Sequence, residues 1–66
     1  MELNKLKGKL TEMKCTYEDC ANTLGISITS FANKINGKSS FKLLEVKKLS
    51  DFLRLSPDEI VSIFLV

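Results

Sequence analysis

Apolar residues recur three and four apart along most of the chain, and no segment reads as a strand. Leu3, Leu6, Leu10 and Met13 make the first stripe, with Lys5, Lys7 and Lys9 largely turned away from it. Gly8 interrupts this helix at a cost of up to about 1 kcal/mol relative to Ala. The helix therefore needs tertiary packing, or else Gly8 lets another helix approach closely. A second stripe, Cys20, Ala21 and Leu24, is about two turns long, and a third pairs Phe31 with Ile35. Phe41, Leu44, Leu49, Phe52 and Leu53 supply a longer fourth face, and Ile60, Ile63 and Phe64 a fifth.

The boundaries between these stripes carry capping chemistry. Thr16 and Asp19 form a capping box at the second helix, with Cys15 and Cys20 placed as a hydrophobic staple across its start. Gly25 supplies the left-handed turn that stops it. Ser27 caps the third helix, predicted over residues 28–35, and Asn36-Gly37 ends it, since both residues tolerate positive φ. Ser39 or Ser40 opens the approach to the fourth. Ser56-Pro57-Asp58-Glu59 then sets a cap, a proline at the first helical position and a capping-box glutamate in order. The expectation is all-α: five short helices around one core in a single domain spanning 1–66, without linkers, repeats or low-complexity tracts.

Size and composition narrow the function classes. A 66-residue chain buries only roughly 60% of its unfolded surface, so its stability is marginal. With 27% charged residues there is no membrane span, and residues 1–14 lack the continuous apolar core of a signal peptide, which implies the cytoplasm. Net charge is +2, unevenly spread. Residues 26–48 carry Lys34, Lys38, Lys42, Lys47 and Lys48 against Glu45 alone, a basic middle that suits a polyanion or simply keeps a helix face solvated. The chain has no histidine and two cysteines, so a metal site lacks ligands, and Cys15 and Cys20 read as reduced core residues. No base partners either thiol and no glycine-rich phosphate loop is present, which argues against an enzyme, a cofactor or a small-molecule ligand. Asp58 and Glu59 are accounted for by capping and the helix dipole.

Only Gly25-Ile26-Ser27 joins the second and third helices, so the two cross steeply as a helix-turn-helix over about residues 16–36. With Phe31 and Ile35 buried, the outward side of the third helix is Ile28, Thr29, Ser30, Ala32, Asn33 and Lys34. These are groups suited to base edges and phosphates: an Asn amide can bond adenine bidentately, a Thr offers a hydroxyl or a methyl, and a Lys reaches guanine or phosphate.

Residues 15–60 resemble the phage Cro/repressor (XRE-type) helix-turn-helix family. The resemblance rests on Thr16, Ala21, Leu24-Gly25-Ile26-Ser27, Phe31, Asn36-Gly37-Lys38 and the later Leu55-Ser56…Asp58-Glu59-Ile60. The run KINGK, Phe41 and the closing SPDEIVSIF are similar to small prophage regulators made of this domain alone. The resemblance implies a lambda-repressor-like DNA-binding domain and a transcriptional regulator, such as a repressor, acting on a double-stranded DNA operator. It further implies that Ser27, Ile28, Thr29, Ser30 and Asn33 face bases or nearby phosphates. Tyr17, Asn36, Gly37 and Lys38 would hold the phosphate backbone through side chains and N–H donors. The chain departs from the family pattern in two ways. Lys34 and Ile35 stand where relatives commonly have an apolar residue and a glutamate, which frees Lys34 to reach DNA. Ile28 replaces a polar or basic reader, and either touches a thymine methyl or covers the rim of the core.

So small a module makes few contacts, so tight binding calls for a homodimer. The apolar end Ile63-Phe64-Leu65-Val66 either forms that dimer surface or, the preferred reading, folds back under the first helix. The alternative function is a protein-interaction module, antitoxin- or antirepressor-like, which the modest net charge also fits.

Overall fold

The computed structural model describes residues 1–65. Five helices follow one another: α1 (Leu3–Glu12), α2 (Tyr17–Leu24), α3 (Ile28–Ile35), α4 (Leu43–Phe52) and α5 (Pro57–Phe64). The described residues contain no strand, and the chain is a small all-α domain of helix-turn-helix type.

Side-chain caps start three of the helices. The Thr16 hydroxyl accepts from the Asp19 N–H at 3.1 Å while the Asp19 carboxylate accepts from the Thr16 N–H at 3.0 Å. Ser27 accepts from the Ser30 N–H at 3.0 Å. Ser56 and Glu59 form a second reciprocal box, with Pro57 at the first helical position. α4 begins later than either Ser39 or Ser40 predicts. Its start at Leu43 is set by the Glu45 carboxylate, which accepts from the Lys42 N–H at 2.8 Å.

The stops share one device. In each of the first four helices, two successive N–H groups beyond the end return to carbonyls of the last turn, a Schellman motif around a residue with positive φ. Gly25 (φ +71°) and Gly37 (φ +79°) occupy that position after α2 and α3, and Lys14 (φ +56°) and Arg54 (φ +54°) after α1 and α4. The bonds that reach back five residues are the shorter of each pair: Cys15 N–H to the Leu10 carbonyl at 2.9 Å, Ile26 to Ala21 at 3.0 Å, Lys38 to Asn33 at 2.8 Å and Leu55 to Ser50 at 3.0 Å.

Leu6 and Leu10 of α1 meet Cys20, Ala21 and Leu24 of α2, Phe31 and Ile35 of α3, Leu49 and Leu53 of α4, and Ile63 and Phe64 of α5 in one core. Four rings thread it edge to face, with centroids 5.4 Å (Tyr17–Phe31), 6.0 Å (Phe31–Phe41) and 6.2 Å (Phe41–Phe64) apart. Each such pair is worth about 0.5–1.5 kcal/mol beyond its burial. Cys20 lies in this core, and burial first, then the charges of Cys15 and Asp19, push its thiol up to about 11. Both cysteines are free, as small packing residues.

Three expected core positions lie outside. Met13 falls past the end of α1 and is 39% exposed. On α4 the inward face is Val46, Leu49, Ser50 and Leu53, at the i, i+3, i+4, i+7 spacing of one helix side. Leu44, five residues before Leu49, is rotated well away from that side and is exposed, and Phe52 sits on its rim. Gly8 faces open space, with nothing within 4 Å of where a Cβ would be, so no helix crosses closely there.

The end of α5 turns back onto α1. The Glu2 N–H donates to the Ile63 carbonyl at 2.7 Å, Lys5 donates to the Ser62 hydroxyl at 3.1 Å, and Lys9 pairs with Glu59 at 2.8 Å. Ile63 and Phe64 are therefore core, whereas Leu65 is exposed; Val66, the last of that apolar run, lies outside the described residues.

Candidate nucleic-acid interface

α3 packs on α2 and α1 through Phe31 and Ile35, both fully buried, and this fixes which way its other residues point. Ile28, Thr29 and Asn33 are exposed on the outward side, with Ile28 at 48%. Neither Thr29 nor Asn33 uses its side chain in a hydrogen bond among the described residues, so an amide, a hydroxyl and an apolar tip are exposed and unengaged on this side.

Ser27 and Ser30 are differently employed. The Ser27 hydroxyl accepts from the Ser30 N–H and donates to the Ser30 hydroxyl at 3.0 Å, and Ser30 is only half-exposed. They set the start of α3 before they can touch anything else.

Lys34 is the main correction. Helical spacing places it outward and free, but its ammonium turns toward α4, donating to the Ser40 carbonyl at 2.9 Å and to Glu45 Oε1 at 3.0 Å. Both side chains of this pair are only 12% exposed. Burial pushes the Glu45 carboxyl up, but the Lys42 N–H, the Lys34 hydrogen bond and the charges of Lys34 and Lys42 outweigh it and hold the group below its ordinary range. One carboxylate thus fixes the start of α4 and the end of α3 together.

The connection after α3 also differs from expectation. The Gly37 and Lys38 N–H groups are spent on the Schellman bonds, and Ser39 N–H donates to the Asn33 carbonyl at 3.3 Å. The Asn36 amide donates to the Ala32 carbonyl at 2.8 Å, closing its own helix. Backbone donors at 37–39 are thereby removed from phosphate binding, and the exposed Lys38 ammonium remains. Sequence reasoning passed over its neighbours: Ser39, Ser40 and Lys42 are all exposed in the same connection, and the polar cluster Lys38-Ser39-Ser40 followed by Lys42 was the available signal.

Tyr17 opens α2 with its ring edge-on to Phe31, half-buried. It covers the core and leaves part of its surface accessible beside the exposed Glu18. Among the described residues no helix is long and apolar enough to cross a membrane, and no group of three or more His, Cys, Asp or Glu could hold a metal ion.

No curated protein and no solved structure matches the chain. The model of one family, DUF739, described as a protein of unknown function, matches residues 1–66, and the chain therefore belongs to the DUF739 family.

Proposed function

We propose that this protein is a sequence-specific DNA-binding transcriptional regulator of the Cro/repressor (XRE) type, of prophage or bacterial origin. It inserts α3 into the major groove of an operator. The observation that carries this reading is the outward side of α3: Thr29 and Asn33 exposed with unengaged polar side chains, on a short helix capped at one end by Ser27 and held at the other by Glu45. Asn33 reads a base, Thr29 and Ile28 sample neighbouring edges or a thymine methyl, and Lys38 holds a phosphate. Nothing catalytic is required, because occupancy alone blocks or recruits polymerase.

A specific observation also favours a second reading. With Lys34 turned inward, α3 presents no free cation of its own, while Ile28 stands out among polar neighbours. Such a face also suits a protein partner, as in an antitoxin- or antirepressor-like module.

Selection from a randomised duplex library at low and moderate salt separates the two. Enrichment of a preferred sequence, with affinity falling steeply as salt rises, is the result expected of the regulator. Absence of binding at either salt moves the assignment to a protein partner. On the enriched site Asn33→Ala should cost about 1–3 kcal/mol and flatten preference at one position; an unchanged preference would remove Asn33 as the reader.

A further inference from the structure

The three lysines on the outward side of α1 part company in the structure. Lys5 and Lys9 lie four residues apart and lean toward α5, where Lys5 donates to the Ser62 hydroxyl and Lys9 pairs with Glu59. Lys7 lies on the α3 side, half-buried, and its ammonium makes no hydrogen bond or ion pair among the described residues. It lines a cleft of about 320 Å³ between the start of α1 and the end of α3. Asn4, one turn earlier on α1, leaves its side-chain amide unengaged there, and Asn36 forms the wall from α3. The exposed wall is mostly polar, unlike the apolar lining of a small-molecule pocket.

Position and charge identify what the cleft takes. Thr29, Asn33 and Asn36 follow one another at helical spacing along a single side of α3, so the cleft lies at the C-terminal end of the strip that carries Asn33. Leu3 comes within 3.5 Å of where a Gly37 Cβ would be, which sets the start of α1 against the turn that holds Lys38 out. Lys7 and Lys38 are thus two unpaired cations around one helix end, while the Lys34 of α3 itself is spent on Glu45. Capping does not employ Lys7. The Ala32, Asn33 and Lys34 carbonyls at that end already accept from the N–H groups of Asn36, Gly37, Lys38 and Ser39. The first turn of α1 has no side-chain cap, so its dipole favours an anion at the same place. Glu2 is the one acid lining the cleft. From this free ammonium beside an unengaged amide, we infer, resting on the DNA-binding reading above, that Lys7 and Asn4 form a phosphate subsite. It takes a phosphodiester of the DNA backbone bordering the groove that α3 enters.

Binding to a preferred duplex and to an unrelated one, over a range of salt, reads the contact. Lys7→Gln should weaken both about three- to tenfold at low salt and lower the salt slope by about one, whereas Lys7→Arg should keep the slope. Sequence preference and thermal midpoint should stay where they are, since Lys7 stands at the edge of the strip and holds no other side chain. Glu2→Gln should tighten binding to both duplexes by removing the acid from the cleft. Duplexes with one phosphate at a time replaced by a neutral methylphosphonate then locate the partner. At one position the replacement should weaken the native chain and leave Lys7→Gln indifferent. A salt slope unchanged by Lys7→Gln overturns the inference, and so does a methylphosphonate series in which no position behaves in that way; in both cases the DNA-binding reading stands. A chain that binds no duplex even at low salt overturns the two together.

Discussion

α2 and α3 stop in the same way and deliver opposite things. After each, a glycine in the left-handed region sends two N–H groups back to the last turn, but the next residue is Ile26 in one case and Lys38 in the other. Ile26 is half-buried against the core; Lys38 is exposed. After α1 and α4 the corresponding residues, Cys15 and Leu55, also turn inward. A single backbone device therefore serves three times to return the chain to the core and once, after α3, to hold a cation out from it. The hydrogen bonds alone do not tell these apart; the side chain that follows the turn does.

Exchanging those side chains should break the comparison most severely. Ile26→Lys removes packed apolar surface and should destabilise by about 2 kcal/mol in urea unfolding. Lys38→Ile should shift stability by no more than about 0.5 kcal/mol, yet, on the proposed reading, weaken DNA binding for all sequences alike and lower the salt slope by about one. The turns themselves come next. Gly25→Ala and Gly37→Ala should each cost about 1–2 kcal/mol through the left-handed backbone alone. A Cβ at Gly25 meets nothing within 4 Å, and one at Gly37 makes an ordinary contact with Leu3 at 3.5 Å. Arg54→Gly runs the other way, relieving a non-glycine residue of positive φ for a gain of up to about 1 kcal/mol, offset in part by the freer unfolded chain. A raised thermal midpoint would show it.

The mildest test concerns a helix start. The Lys9 hydrogen bond, with the Ser56 N–H, holds the Glu59 carboxyl at about 2, below an ordinary value of about 4.3. A depressed folded-state value means that its contribution is complete above the unfolded value and is lost as pH falls toward 2. Glu59→Gln should therefore flatten, without abolishing, the fall in stability between about pH 5 and pH 2. The Glu45 carboxyl, also held low, contributes to the slope that remains.

Much of the fold was legible because local chemistry and tertiary packing agree. Ser27, Ser56-Pro57 and the two turn glycines have strong intrinsic preferences for the places they occupy, and Phe31 and Ile35 leave one possible inward side for α3. Lys14 and Arg54 were not legible as stops, since neither favours the left-handed region; the burial that follows them, at Cys15 and Leu55, imposes it. The phase of α4 slipped because its start depends on a carboxylate returning from inside the helix, not on the serines before it. Lys34 was misplaced for a related reason. Its partner lies eleven residues away across a turn, and helical spacing carries no information about such a pairing.

The fastening of α3 has a consequence for how such a chain changes over time. Its polar anchors lie at the two ends, in Ser27 and Ser30 at one and in Lys34, Asn36 and Glu45 at the other, while Ile28, Thr29 and Asn33 anchor nothing through their side-chain polar groups. Those three positions can be exchanged with the scaffold left intact. On the proposed reading, a line of descendants moves from one operator to another by altering a few letters of a single helix, each intermediate already folded.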